Sequence, residues 1–256
     1  MKRSRWLFFS LLMFIPFFVS AETEEMELVA TKTKYFKTTV VLSTSEVMRN
    51  SGLGEISSIT TEITKEEYDN VDVNSESAAN SSRGITSNIT ETTYKELITN
   101  MYKRNDYYFR YHTTLNWKLI PSTRSYDIIG IGFFNTLEPS SIYFEENYCR
   151  SSSECYQNTS YYRFIGLQGV GAMFKVPSGT LTELSQYIEF DVAKKNPNAT
   201  ITNQFAVGDY RHATSSIPYE DAKDFTITLG GVQLDNSIAN YYDTLTVADA
   251  IWTGTW

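Results

Sequence analysis

The chain has 256 residues and a net charge of −8. That acidity excludes the basic face that nucleic-acid phosphates require and offers nothing to anionic lipid. Tyr (18) and Phe (15) are abundant and Pro is scarce at 6, a strand-favouring composition. The two cysteines cannot frame a chain of this length, so an apolar core is required.

The chain opens MKRSRWLFFSLLMFIPFFVSAETEE. Lys2, Arg3 and Arg5 precede an apolar run from Leu7 to Phe18, and Val19-Ser20-Ala21 supplies small residues before an acidic flank. A run of about a dozen residues fits a signal peptide and is short of the ~20 that span a bilayer. Residues 1–21 therefore read as a signal peptide, and the protein as secreted, with no integral membrane segment after cleavage. Cleavage removes three basic residues and no acidic one, taking the charge from −8 to −11.

Residues 22–90 read as an N-terminal segment with strands at Phe36–Leu42 and Glu55–Thr64. Asn70 to Asn88 is polar and small, a linker or exposed loop. Asp72, Asn74 and Glu76 have the opening spacing of a calcium loop. Ser77 replaces the turn glycine and Arg83 the bidentate Glu, so no metal site is expected.

Residues 91–256 read as the β-sandwich domain. From Tyr107 to Leu119, aromatic and apolar residues alternate with polar ones, which predicts a long half-buried strand with His112 on its polar face. Tyr126 to Phe134 is apolar on both faces, hence a central strand. Gly130 and Gly132 share one face and leave room for a neighbour, and Asp127 reads as a paired or edge-facing charge. Glu145 and Glu146 read as a solvated edge pointing apart.

Further strands are predicted at Ser160–Leu167, Gly169–Val176, Leu184–Ala193, Thr200–Val207, Asp224–Leu229 and Thr246–Trp252, the last with Trp252 covering core. VPSGT, KKNPNAT and VGDYRHATSS read as turns. Pro218–Asp224 and Asp235–Tyr242 each suit a helical turn. Many strands at short spacing predict an all-β fold, an antiparallel β-sandwich (jelly-roll-like or Ig-like) with an N-terminal extension.

Cys149 and Cys155 sit in NYCRSSSECYQNTS. In an oxidising compartment they are expected to form a disulfide, worth about 2–2.5 kcal/mol by chain entropy. The loop between them is expected to be exposed. His112 and His212 are the only histidines and lie far from the cysteines, too few donors for zinc. No nucleophile elbow, metalloprotease helix, phosphate loop or dinucleotide fingerprint is present. His212, near Asp209 and Ser215, is only weakly placed for a triad. No catalytic residue, metal ligand or cofactor is assigned. Tyr148, Tyr156, Tyr161 and Tyr162 flank the disulfide and are the candidate ligand-binding residues, since flat rings beside polar groups suit a sugar or protein contact.

The phrases ITKEEYDN, NWKLIPSTRSYDIIGIGFF, PSGTLTELSQYIEFDV, NQFAVGDYRHATSS and LDNSIANYYDTLTVADAIWTGTW resemble an uncharacterised family of exported proteins of low-GC Gram-positive bacteria. The resemblance runs from about Ile63 to Trp256. It implies a bacterial secreted protein and brings no activity and no functional residues. Three functions are weighed: a non-enzymatic extracellular binding module for a glycan or protein, a secreted hydrolase that attacks extracellular polysaccharide with paired carboxylates, and a developmental or sporulation-linked factor.

Overall fold

The computed structural model describes residues 26–43, 55–75, 89–159 and 162–256. The expected signal peptide, most of the polar stretch up to Asn88, and Tyr161 lie outside the described residues. The protein is an antiparallel β-sandwich. Its larger sheet contains β1 (Glu27–Ser43), β2 (Glu55–Ile63), β3 (Ile89–Lys103), β4 (Phe109–Leu119), β6 (Leu137–Ser151), β7 (Glu154–Asn158) and β10 (Glu183–Lys194). Their order is β2-β1-β3-β4-β10-β6-β7. The smaller sheet contains β5 (Tyr126–Gly132), β8 (Tyr162–Ile165), β9 (Gly169–Lys175), β11 (Thr202–His212) and β14 (Ala248–Thr255), in the order β14-β11-β5-β9-β8. β12 (Phe225–Thr228) and β13 (Gly231–Leu234) form a separate hairpin. β1 pairs with β3 from Glu27↔Lys103 to Val41↔Ile89, so the N-terminal strands extend the larger sheet.

Alternation decides which residues meet between the sheets. β4 is buried at every second position from Phe109 to Leu119. Its inward residues Tyr111, Leu115 and Trp117 join Ile129 and Ile131 of β5, Phe190 of β10 and Ala206 of β11 in one core. Trp252 closes one end against Phe109, ring centroids 5.0 Å apart. Outside the sheets stand the short helices α1 (Lys65–Asp69) and α2 (Tyr219–Ala222) and a 3-10 turn at Ala239–Tyr241. A capping box starts α1: the Thr64 side chain accepts from Glu67 N–H, and the Glu67 carboxylate accepts from Thr64 N–H.

β5 is buried at all seven positions and lies at the centre of its sheet. Its outer face carries Gly130 and Gly132, and β9 adds Gly169 and Gly171 beside them. Ile227 of the β12–β13 hairpin lies on this glycine floor. A Cβ at Gly130, Gly169 or Gly171 would strike the Ile227 side chain, and one at Gly132 would strike the Thr228 backbone. The hairpin thus forms a third layer with its own core of Ile128, Met173, Phe225, Ile227 and Val232.

Three sequence expectations need correction. VGDYRHATSS is not all turn: β11 continues through Gly208, Asp209, Tyr210, Arg211 and His212. Its buried acid finds partners in the interior, with Asp209 accepting from Val232 N–H at 2.8 Å and from Arg211 at 2.9 Å. Residues 137–151, given no strand from sequence, form the 15-residue β6. Glu145 and Glu146 are not a solvated edge, being 5% and 1% exposed.

The glycine floor leads to a graded expectation. Gly132→Ala should cost about 3 kcal/mol because rigid backbone opposes the new methyl, and Gly130→Ala about 1 kcal/mol because an Ile side-chain tip can yield. Urea unfolding of both variants would measure the difference, and equal costs would refute the close backbone approach.

Candidate functional site

The cysteines lie on a β-hairpin rather than a loop. β6 and β7 pair with Glu146↔Asn158, Tyr148↔Tyr156 and Cys149↔Cys155 in register, and the two cysteines are joined as a disulfide. The strand residues from Glu154 to Asn158 are all exposed. The hairpin is tied to the segment before β10, where Thr182 N–H donates to the Cys149 carbonyl at 2.8 Å.

Of the four candidate tyrosines, two come together. Tyr148 and Tyr156 stack with centroids 5.2 Å apart and planes 22° from parallel. The Arg150 guanidinium lies 5.8 Å from the Tyr156 ring centre, within cation–π reach. Tyr156 O–H donates to Glu154 at 2.5 Å. Tyr162 stands on β8 of the other sheet, its ring edge-on to Phe225 at 5.8 Å, and belongs to the hairpin core layer.

A second aromatic group, missed from sequence, lies on the outward face of the larger sheet. Glu145 accepts hydrogen bonds from Tyr143 O–H and from Asn147 Nδ2. Gln157 and Tyr187 also bond to it. Burial alone would raise the Glu145 carboxyl; these hydrogen bonds outweigh it and hold the group below its usual value. The Tyr143 and Tyr187 rings are 5.7 Å apart, and His112 meets Tyr187 edge-on at 5.5 Å. Burial lowers the His112 pKa and favours the neutral ring. Tyr143 remains 45% exposed. α1 shields a different part of this face, where the Lys118 ammonium donates to the Tyr68 and Asp69 carbonyls. The signal was present as Tyr143, Glu145 and Asn147 at spacing two, but charge concealed the strand.

Between the sheets runs a seam of polar groups. Gln186 Nε2 donates to Glu146 at 2.7 Å and to Asp127 at 3.1 Å. Asp127 also accepts from Tyr210 O–H and pairs with His212 Nδ1 at 2.7 Å. Asp127 is therefore paired, as one of its two expected readings held, and it lies in the interior rather than at an edge. His212 ends a strand, and its acid is Asp127, 85 residues away in sequence. Asp209 points to the opposite side of β11, towards Val232. Among the described residues no group of three His, Cys, Asp or Glu side chains could hold a metal ion. Asp72 accepts from Asn74 and Ser75 N–H groups, forming a local turn. No described helix is long and apolar enough to cross a membrane.

No family model matches this sequence, and no curated protein matches it significantly. Among solved structures, the chain is similar to the collagen-binding domain from a Staphylococcus aureus adhesin. Identity is 7% and the TM-score 0.33, over 59% of this chain and 90% of that one. It is also similar to the collagen binding domain of the Erysipelothrix rhusiopathiae surface protein RspB, at 6% identity and TM-score 0.29 over 64% and 66% of the two chains. A third likeness is to the full-length major pilin SpaD from Corynebacterium diphtheriae, at 9% identity and TM-score 0.30 over 70% and 56%.

Two outcomes follow from the site's geometry. Replacing both cysteines with Ser should leave a folded β protein destabilised by about 2 kcal/mol, as read by thermal melting; failure to fold would place the hairpin in the folding core. Burial raises the Glu146 carboxyl from 4.5 to about 7. The folded state therefore keeps a proton that the unfolded chain has lost between those values. Stability from this group is full below about 4.5 and is lost as pH rises to about 7, by up to about 3 kcal/mol. Glu146→Gln should flatten that slope in urea titrations across the window.

Proposed function

We propose that this protein is a secreted bacterial, non-enzymatic binding module whose extracellular ligand, a glycan or a protein, docks on the outward face of the larger sheet. The observation that carries this reading is the Tyr143–Tyr187 pair, with ring hydroxyls and amides gathered on Glu145. Such a group is held in place before any ligand arrives, which lowers the ordering cost of binding. Aromatic rings with polar neighbours are the usual energetic centre of a recognition surface. The stacked Tyr148–Tyr156 pair on the β6–β7 hairpin adds a second aromatic element at the sheet edge. Export is supported by the N-terminal basic, apolar and small-residue pattern.

The hydrolase alternative needs two carboxylates facing one open cleft. Among the described residues, Asp127 and Glu146 share an amide donor in the interior at 0% and 1% exposure. That burial favours the binding reading over the hydrolase.

The test is retention of the mature protein on a glycan array and on a panel of immobilised extracellular proteins. The Tyr143→Ala/Tyr187→Ala variant should bind its ligand at least about tenfold more weakly, the scale expected when aromatic anchors are truncated. Circular dichroism should be unchanged. Retention on no surface, or equal retention by the variant, would overturn the reading.

A further inference from the structure

Lys95 lies on the inward face of β3, in the buried row that continues with Leu97, Thr99 and Met101, and its side chain is completely enclosed. A lysine ammonium withdrawn from water is costly unless paired. Its partner is Asp243, also completely enclosed, in the segment that leads to β14. Asp243 is held by the backbone: its N–H donates to the His212 carbonyl at 2.9 Å, and its Oδ1 accepts from His212 N–H at 2.8 Å. The other oxygen, Oδ2, is in direct contact with Lys95 Nζ. The Trp117 and Tyr210 rings wall the amine, with centroids 4.8 and 5.4 Å from Nζ. A second buried acid, Asp127, acts electrostatically on Lys95 and is bonded to the His212 and Tyr210 side chains.

The arrangement brings together an amine, a carboxyl and a second acid, with water excluded. We propose that Lys95 and Asp243 join in an intramolecular isopeptide bond, closed by the folded protein itself, with Asp127 managing the proton transfer. The balance is simple. The ammonium gives a proton to the Asp243 carboxylate, leaving a neutral amine and a carboxylic acid. Burial favours that step, since desolvation lowers the Lys95 pKa. The Nζ lone pair then attacks Cγ, one of the two protons left on nitrogen passes by way of the Asp127 carboxylate to the leaving oxygen, the other stays on the amide, and the Cγ–O bond breaks. One water leaves, one amide forms, and two buried charges disappear. No oxidant, metal or cofactor enters the reaction. Condensation is unfavourable for free groups in water, but groups held in contact react with effective concentrations of roughly 10⁵–10⁸ M. Asp127 is assigned a positioning and proton-handling role, because it reaches the pair through His212 and Tyr210.

The bond would tie the larger sheet, through β3, to the smaller sheet at the approach to β14. The covalent ring would enclose the sequence from Lys95 to Asp243.

The experiment is intact-mass spectrometry of the full secreted chain after reduction and denaturation. The expected mass is one water below that of the processed sequence, and protease digestion should release a branched peptide joining the Lys95 and Asp243 segments. Lys95→Met should restore the unmodified mass. That variant is measured denatured, so the reading does not depend on its folding. Asp127→Asn keeps the shape and removes the acid. It should stay folded by circular dichroism yet show the unmodified mass, and Asp127→Glu should recover part of the water loss. Unmodified mass in the wild type, or water loss persisting in Lys95→Met, would overturn the bond. Full cross-linking in Asp127→Asn would overturn the role given to Asp127.

Discussion

The contact between Lys95 and Asp243 is the constraint around which the interior is arranged. Burying opposite charges in an apolar sandwich is costly unless each is paired and hydrogen-bonded. Here the carboxylate is fixed by the His212 peptide, and the amine by the Trp117 and Tyr210 rings. The remaining polar groups follow from that demand. Tyr210 and His212 need a partner, which is Asp127; Asp127 needs another donor, which Gln186 supplies; and Gln186 carries the chain on to Glu146. The sheets come close enough for this because β11 has Gly208 where a Cβ would strike Thr99 and Thr113, which bond to each other at 3.1 Å. One interior thus contains an apolar half that supplies the driving force and a polar seam that fixes how the two sheets align.

That division explains what was legible in the sequence. Where burial is apolar, periodicity reveals it: the alternation read from Tyr107 to Leu119 is that of β4 from Phe109 onward, with Tyr107 left exposed outside the strand, and the two-sided burial read from Tyr126 to Phe134 is that of β5, Tyr126–Gly132. The room beside Gly130 and Gly132 was also legible, although the sequence could not say that Ile227 and the Thr228 backbone would occupy it. Where burial is polar, pattern reading fails. Asp209 to His212 looks like a turn and Glu145-Glu146 like a wet edge, because their partners come from distant sequence. Lys95 and Asp243 are 148 residues apart, and nothing local to either marks them. The disulfide was legible from compartment and spacing, but not the hairpin on which it lies. The outward Tyr143–Glu145–Tyr187 group was concealed for the same reason as β6 itself.

The two halves of the molecule suit different tasks. The outward face offers ordered rings and amides at the surface, in an arrangement fit for recognition. The interior holds an enclosed amine and two enclosed acids, Lys95, Asp243 and Asp127, and the reaction proposed for them is one within the protein. Under the proposed function, a covalent tie between the sheets would hold the recognition face in one shape.

An atomic-resolution crystal structure of the protein tests this account most directly, at one pair of atoms. The account predicts continuous density between Lys95 Nζ and Asp243 Cγ, with the planar geometry and ~1.33 Å length of an amide bond. Two separate side chains, with nitrogen and oxygen about 2.7–2.9 Å apart as in an ordinary charged hydrogen bond, would contradict it.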